Sequence, residues 1–493
     1  MTARQDSDNL AWDRSDQLWE EKRKQLRLKT STHRTVARAE KALGEPVVFA
    51  PPLMVGGFNV LYPIRVGGGS SHTTSRAALI RLPCRTEALF DEEKVRAECA
   101  TLEYIRQHSQ LPVPEMLQHG NDPEIGPFMI IQDLKTRRDM SDALQMPGQD
   151  PDESPILDPN ISDSTIRGIY GQMARCLLQL AQPTFPRIGS LSRTSSGFEI
   201  ASRPITLNMS NMVQLSNIPQ SIFPDEHTTF DTADEWYTAL AKMQIATLLF
   251  QHNDIISSAD DCRTKCVARQ LFYNLAKQGR LSAFGFADCD NSPGATLPVP
   301  DGNNSFCLWA DDFRPANVLV DNDDHIAGII DWEFAYAGPT QFVLDPPWWL
   351  LIEGPENWDD GIQDWASVYE GRLGTWLSEV EKAEKEMNPG SLLLSAYMRE
   401  SWKTGRFWVN YAARKSWAFD AVYWEYIDER FFGKRDHHGP PEELWRSRVE
   451  LLSEGARSKM EDMVQIKMEE SKERVLVDWE PQEARKRLEA FLF

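Results

Sequence analysis

Residues 309–320 of this chain read WADDFRPANVLV, and residues 328–333 read GIIDWE. In the first stretch a carboxylate, Asp312, is followed five positions later by an amide, Asn317, and then by three apolar residues typical of a short strand. A turn-forming DNDD segment leads to a second apolar run that ends at Asp331. A hairpin of this kind would bring the two carboxylates and the amide to one end of a strand pair.

The order of these groups suits phosphoryl transfer from a nucleotide. Asp312 could accept a hydrogen bond from an acceptor hydroxyl, while the oxygens of Asn317 and Asp331 are ligands that Mg²⁺ prefers. A polar hairpin in which Asp and Asn only form turns is the alternative interpretation of any single element. The complete ordered set, with a strand on each side, favours a catalytic site. Asp311 could be mistaken for the base, but Asp312 has the spacing to Asn317.

Length and charge restrict the class of protein. A chain of 493 residues is too long for one ordinary core, so two or three lobes are expected. Hydrophobic residues make up 41%, enough for a sizeable interior. The formal net charge of -21 argues against nucleic acid or an anionic membrane surface as the main partner. The charge would permit a cationic substrate, but an acidic balance mostly concerns solubility.

Cysteine usage and the N-terminus indicate a compartment. The seven cysteines are odd in number and scattered, which favours a reducing environment. The first residues are polar and show no signal region, and no apolar run is long enough to span a bilayer. We therefore expect a cytoplasmic protein without a membrane partner.

Strand and helix signals divide the chain into five parts. The predicted parts are an N-terminal helical extension (1–45), a strand-rich N-lobe (46–135), a linker or insertion (136–164), a C-lobe (165–440) and a charged helical tail (441–493). This order predicts an α+β fold with two lobes. The N-lobe would be a small antiparallel sheet, and the C-lobe would be large and mainly helical.

The N-lobe contains candidates for binding nucleotide phosphates. Gly56 and Gly57 lie in a turn between two predicted strands, where their backbone N–H groups could approach phosphate oxygens. An ordinary hairpin turn is the alternative. Arg81 lies on the third strand, and its guanidinium could grip two phosphates in a forked way. Glu98 in the next helix could orient it. Arg81 could instead be an ordinary surface arginine, and the nearby cation Lys94 could be confused with it. Both alternatives stay open.

Together these motifs resemble the aminoglycoside phosphotransferase and choline kinase-like branch of the protein-kinase fold, from about residue 47 to about residue 351. The fungal group of phosphotransferase family proteins is especially similar. The resemblance implies a bilobal kinase-like fold, ATP and Mg²⁺ as cofactors, and transfer to a hydroxyl of a small molecule. It makes Asp312 the catalytic base, and Asn317 and Asp331 the magnesium ligands.

The resemblance also places Gln132 and Asp133 at the junction between the lobes, where backbone groups meet adenine. Many relatives begin the catalytic loop with His-Gly-Asp, but Ala310 and Asp311 occupy the first two positions here. Asp345 matches an acidic position that braces this loop in relatives. The missing histidine leaves a second hypothesis, a kinase-like nucleotide-binding pseudoenzyme or scaffold without transfer activity. The acceptor stays open among antibiotics, choline-like amines, sugars and secondary metabolites.

Overall fold

A computed structural model of the chain describes residues 7–67, 75–84, 89–149, 155–289, 292, 294–300, 306–387, 393–436 and 439–493. The α-helices are α1 (Asn9–Leu26), α2 (Lys29–Leu43), α3 (Asp91–His108), α4 (Asp163–Leu180), α5 (Leu207–Ser216), α6 (Ala233–Phe250), α7 (Ala259–Lys277), α8 (Thr340–Val343), α9 (Ile362–Met387), α10 (Leu394–Thr404), α11 (Arg406–Arg414), α12 (Phe419–Val422), α13 (Asp428–Phe432), α14 (Glu454–Glu470) and α15 (Pro481–Glu489). The strands are β1 (Val47–Phe49), β2 (Met54–Val55), β3 (Asn59–Val66), β4 (Arg76–Pro83), β5 (Met116–Asp122), β6 (Gly126–Gln132), β7 (Thr184–Phe185), β8 (Ser190–Thr194), β9 (Gly197–Ser202), β10 (Phe306–Ala310), β11 (Val318–Val320), β12 (Ile326–Ile329) and β13 (Ala335–Pro339).

The smaller lobe is an antiparallel sheet covered on both faces. Its strands follow the order β1-β3-β4-β6-β5, with β2 paired beside β3. Successive side chains of a strand point to opposite faces. Ile80 and Ile130 therefore pack on the side of α2, whereas their neighbours Leu79 and Met129 join the core that includes α3. Burial on both faces explains why β4 and β6 read as nearly continuous apolar runs.

The larger lobe is mainly helical, and its core is rich in tryptophan. Helices α4 and α9 pack together, as do α6 and α7. Trp236, Trp332, Trp365 and Trp376 are among its largest fully buried side chains. The hairpin β8-β9 follows β7, and two further small sheets lie within this lobe, the three-stranded β13-β10-β7 and the hairpin β11-β12. Strand β10 ends at the loop that carries Asp312, and the hairpin β11-β12 follows that loop, so these two sheets position it.

The terminal helices also pack on the body. Helix α1 lies on α5 of the larger lobe, and its capping residue Asp8 accepts hydrogen bonds from Asn253. Helix α2 contacts the small-lobe sheet through β1 and β5, and α14 packs on α7. The two-lobed α+β fold predicted from the sequence is therefore confirmed. In the part of the chain that the structure describes, no helix is both long and apolar enough to cross a membrane.

Candidate active site

A cleft of about 590 Å³ lies between the glycine turn, the junction of the lobes and the loop after β10. Of the residues predicted to form the site, seven line this cleft: Gly56, Gly57, Arg81, Gln132, Asp312, Asn317 and Asp331. Glu98 and Asp133 lie outside its lining. Segments separated by more than two hundred residues thus meet in one place, and their assignment to a nucleotide site stays a prediction.

Asp312 and Asn317 are joined directly. The loop after β10 closes with a single 3₁₀ turn, Pro315–Asn317, before β11 begins. Asn317 Nδ2 donates to the backbone oxygen and to Oδ2 of Asp312, both at 2.8 Å. Because both partners are acceptors, the NH₂ group must face Asp312, and the Asn317 carbonyl oxygen must face away from it. That oxygen has no donor among the described residues and is free to bind a ligand.

Asp331 reaches the same place from the end of the second strand. Ile330 N donates to the backbone oxygen of Asn317 at 3.0 Å, which fixes the two segments side by side. Asp331 has a positive φ of 59°, an uncommon conformation for a residue with a side chain. Such strain often marks functional sites, where the surrounding structure holds it in place. The Asp331 side chain remains 38% exposed, open to the cleft.

Arg81 is buried and surrounded by carboxylates. Its Nη1 lies 2.5 Å from Glu98 Oε1, and its Nη2 lies 2.9 Å from Asp331 Oδ1 and 3.4 Å from Glu333 Oε1. Burial alone would lower the pKa of Arg81, but the three carboxylates raise it above its ordinary value. Arg81 is therefore a permanent cation at the cleft wall, and Glu98 orients it from behind.

A second buried cation, Lys94, completes this cluster. Its Nζ lies 2.7 Å from Glu333 Oε2 and 4.8 Å and 4.6 Å from the ring centres of Phe58 and Phe334. Asn59 Nδ2 also donates to Glu333, at 3.3 Å. Burial would raise the pKa of Glu333, but Lys94 and Arg81 hold it below its usual range. Glu333 thus connects the glycine turn, α3 and the Asp331 segment.

Glu333 was not among the residues predicted for the site, and Lys94 was considered only as a residue that could be confused with Arg81. Two signals were present. Lys94 precedes Glu98 by four positions on α3, so the two share a helix face. Glu333 follows Asp331 by two positions. Neither signal identifies the partner, because the ion pair joins residues 239 positions apart in the chain.

The two glycines of the turn have open space around them. A Cβ built on Gly57 would meet no described atom within 4 Å, and one on Gly56 would only touch Asn59 O at 3.5 Å. Neither glycine is among the residues with positive φ. Protein packing therefore does not require glycine at either position, although both line the cleft.

At the junction of the lobes, the backbone N–H groups of Gln132 and Asp133 already donate hydrogen bonds within the protein. Gln132 N donates to Glu115 O at 2.8 Å, and Asp133 N donates to Ala77 O at 3.2 Å. The Asp133 carboxylate binds Arg137 in a forked ion pair, which helps to lower the pKa of Asp133 against the effect of burial. The N–H of Leu134, the next residue, has no acceptor among the described residues, and Leu134 lines the cleft.

Asp311 faces away from the cleft. Its carboxylate accepts from Trp309 Nε1 at 2.6 Å and from Leu207 N, at the start of α5, at 3.2 Å. Burial raises the pKa of Asp311. Asp311 therefore anchors the loop to the larger lobe, on the side opposite Asp312.

Asp345 is also structural. It accepts from Ser401 Oγ at 2.6 Å, from Arg406 Nε at 3.2 Å and from Asn410 Nδ2 at 2.7 Å. Arg406 is fully buried and donates to three backbone oxygens as well. This network ties the segment after α8 to α10 and α11.

Comparison with known proteins gives the family. The family model of the phosphotransferase enzyme family matches residues 72–377, more than half of the chain. The chain belongs to this family. Membership supports a kinase-like phosphotransfer to a small molecule. A comparison with curated proteins gave no match.

Three solved structures show a distant likeness. A macrolide 2'-phosphotransferase type I is 14% identical, with 82% of this chain and 96% of that chain covered and a TM-score of 0.37. A thermostable aminoglycoside phosphotransferase mutant in ternary complex with AMP-PNP and hygromycin B is 14% identical, with 87% and 97% covered and a TM-score of 0.37. The GDP complex of an aminoglycoside 2'-phosphotransferase mutant is 12% identical, with 82% and 95% covered and a TM-score of 0.34.

Proposed function

We propose that this protein transfers the γ-phosphoryl group of ATP to a hydroxyl group of a small molecule, with Mg²⁺ as cofactor. One observation carries the proposal. Asp312, Asn317, Asp331 and Arg81 line a single cleft, with Asn317 bonded to Asp312 and Arg81 paired to Asp331. These are the groups that phosphoryl transfer requires, namely a base, metal ligands and a cation for the phosphates.

The donor set fits a magnesium ion. The free carbonyl oxygen of Asn317 and the exposed carboxylate of Asp331 are hard oxygen ligands, and Mg²⁺ commonly takes one or two protein oxygens together with substrate phosphates. When bound, the ion would offset the negative charge of the phosphates. Arg81 already pairs with Asp331, so the arginine, the metal site and the phosphates would form one contiguous set of charges.

The cleft also suits the remainder of the nucleotide. Apolar side chains of its lining would face an adenine ring: Met54, Leu61, Leu79, Ile131, Leu134 and Leu319. Because the N–H groups of Gln132 and Asp133 are occupied, we assign the adenine contact from the junction to the unbonded N–H of Leu134. The glycine turn would cover the phosphates.

In the proposed reaction the acceptor hydroxyl loses its proton to the Asp312 carboxylate. A bond forms between the acceptor oxygen and the γ-phosphorus. The bond from that phosphorus to the oxygen bridging the β- and γ-phosphates breaks, and ADP departs with the electron pair. Asp312 is held for this task by Asn317 on one oxygen and by Arg314 on the other.

The test is a metabolite screen with γ-labelled ATP, comparing the wild-type protein with Asp312→Ala. We expect one or more labelled products with the wild type. Loss of a general base lowers the rate by roughly 10²–10⁴-fold, so label should disappear with Asp312→Ala. ATP binding, measured by calorimetry, should change little in that variant, because the other cleft residues that would contact ATP are unchanged.

Asp163→Ala is the matched control, since it removes the same kind of carboxylate at an exposed position of α4 outside the cleft lining. Labelled product should persist in Asp163→Ala. Undiminished transfer by Asp312→Ala would remove Asp312 as the base. An absence of labelled product with the wild type, despite ATP binding, would favour the second hypothesis of a nucleotide-binding protein without transfer activity.

A further inference from the structure

Six arginines are buried in the part of the chain that the structure describes. Five of them form an ion pair with a carboxylate: Arg81, Arg203, Arg269, Arg406 and Arg448. The sixth is Arg414, at the end of α11, which is 9% exposed. Its Nε donates to Asn410 O at 3.1 Å, but neither Nη atom has a hydrogen-bond or ion-pair partner among the described residues. Because a buried charge without an ion pair is costly, this guanidinium has room for a ligand of opposite charge.

Arg414 lines a second cavity, next to the loop that carries Asp312. The lining of this cavity includes three residues of that loop, Ala310, Asp311 and Phe313. Asp312 lies between the last two in sequence but lines the nucleotide cleft instead. Neighbouring residues of one loop thus face two separate spaces, and the second cavity lies within one residue of the proposed base.

The second cavity is small and mostly aromatic or aliphatic. Its volume is about 40 Å³, and one water molecule needs at least about 10–15 Å³. The cavity therefore holds roughly three atoms, which is the size of a carboxylate group. The guanidinium carbon of Arg414 lies 4.4 Å and 4.7 Å from the ring centres of Trp309 and Phe342. A guanidinium that stacks on rings by its faces keeps its N–H edge available for a carboxylate in its plane.

A second unpaired cation follows Arg414 in the chain. Lys415 Nζ lies 5.5 Å from the ring centre of Trp348, which lines the cavity, and it has no ion-pair partner among the described residues. Two carboxylates, Asp311 and Asp345, also line the cavity. Asp345 already pairs with a buried arginine of its own. Two unpaired cations therefore face one carboxylate, that of Asp311, and this balance favours an anionic ligand.

We propose that this cavity binds a carboxylate of the phosphate acceptor, so that the acceptor is a hydroxy acid. The inference rests on the proposed function and names its substrate class. Arg414 would hold the two carboxylate oxygens with its two Nη atoms, and Lys415 would add a second charge. The apolar remainder of the acceptor would lie along Phe313 and Trp348, which are only partly buried, with its hydroxyl group at Asp312.

Three probes that share a ring and a hydroxyl group test this inference: para-hydroxyphenylacetate, its neutral amide and the ammonium compound tyramine. Their dissociation constants are measured by calorimetry without nucleotide. We expect the wild type to bind the carboxylate roughly ten- to a hundredfold more tightly than the amide, the worth of a charged hydrogen bond. The net charge of -21 would by itself favour tyramine, so a preference for the carboxylate cannot come from the overall charge.

The variants Arg414→Gln, Arg414→Lys and Lys415→Gln locate the source of this preference. Arg414→Gln should lose it, whereas Arg414→Lys, which keeps the charge without the fork, and Lys415→Gln should each keep part of it. A thermal melt shows whether each variant folds. If Arg414 only braces Trp309, Arg414→Gln would weaken all three probes alike and leave the preference unchanged, which would overturn the inference.

The matched control is Arg193→Gln. Arg193 is 47% exposed and lies outside the cavity lining, and its guanidinium carbon is also close to an aromatic ring, at 4.7 Å from the centre of Phe198. The substitution therefore removes the same charge and the same kind of ring contact. All three dissociation constants should stay within twofold of the wild type.

The outcomes separate this inference from the proposed function. Equal binding of the three probes by the wild type, or a preference that survives in both Arg414→Gln and Lys415→Gln, overturns the carboxylate site. A labelled product without a carboxylate in the γ-labelled ATP screen overturns the substrate class and leaves the phosphotransferase standing. An absence of any labelled product overturns the proposed function, and calorimetry then still decides whether the cavity binds carboxylates.

Discussion

Asp331 is surrounded by charges of both signs, and its backbone has a conformation that few residues adopt. Its place was predicted from the ordered set of motifs, because the strand that ends in Asp331 follows the Asp312–Asn317 loop and a turn signal. The spacing of Asp312 and Asn317 was likewise sufficient to predict that they meet. The ion pair between Lys94 and Glu333 was not predicted, because it joins residues of two different lobes.

One carboxylate in the larger lobe should make stability depend on pH. Burial raises the pKa of Glu353 to about 7 from its ordinary value of 4.5, and the charges of Asp359 and Glu356 add to this effect. The fold therefore favours the neutral form. The stabilisation is fully present below pH 4.5 and is lost as pH rises through about 7.

We expect Glu353→Gln, which cannot ionise, to reduce this loss. The measurement is the melting temperature on either side of pH 7 for the wild type and the variant. The wild type should lose more stability than Glu353→Gln as pH rises, with the two curves converging at low pH. If the melting temperatures of the wild type and Glu353→Gln change in parallel with pH, ionisation of Glu353 does not destabilise the folded protein, and the prediction is wrong.

At the scale of elements, local pairings were predictable and distant ones were not. The hairpin β11-β12 joins neighbouring segments through a turn signal, and β3 and β4 follow alternating or apolar patterns. The sheet β13-β10-β7 was not predicted. Its strand β7 has two residues, too few to show the alternating pattern of a strand. The partner strand is also distant in the sequence, since Phe185 pairs with Phe306.

A substitution in the glycine turn tests whether this element approaches the phosphates of the nucleotide. Since Gly57 has open space around it, Gly57→Ala should fold with unchanged stability. A methyl group there would stand between the backbone and the phosphates, so we expect ATP affinity to fall several-fold while the melting temperature without nucleotide stays constant. Calorimetry with ATP and Mg²⁺ checks the first part, and a thermal melt checks the second.

Gly455→Ala on α14 is the control, because a Cβ there also meets no described atom within 4 Å and the site is remote from the cleft. It should leave ATP affinity unchanged. Equal ATP affinity in the wild type, Gly57→Ala and Gly455→Ala would mean that the turn does not approach the phosphates.

In the whole molecule, ion pairs hold α3 to the larger lobe. Arg203 contacts Glu93 through two hydrogen bonds at 2.7 Å and 3.0 Å, and Arg96 pairs with Glu226 at 2.6 Å. Because α3 carries Glu98 and Lys94, these contacts fix the small-lobe cations relative to Asp331. The two-lobed fold was predictable from the order of strands and helices, and Arg81 and Asp331 were expected at one nucleotide site. Ion pairs such as that of Arg203 with Glu93 were not predicted. The division of the chain into five parts and the cytoplasmic location of the protein stay predictions.

The most direct test of the central claim is the magnesium dependence of ATP binding, measured by calorimetry with Mg²⁺ and with a chelator, for the wild type and Asp331→Asn. If Asp331 binds the ion that carries the nucleotide, the wild type should bind ATP more tightly with Mg²⁺. Asp331→Asn should lose most of that gain, yet bind metal-free ATP at least as well as the wild type, because a carboxylate that repels phosphates is gone. ATP affinity that does not depend on Mg²⁺ in the wild type, or an equal gain in both proteins, would contradict the account.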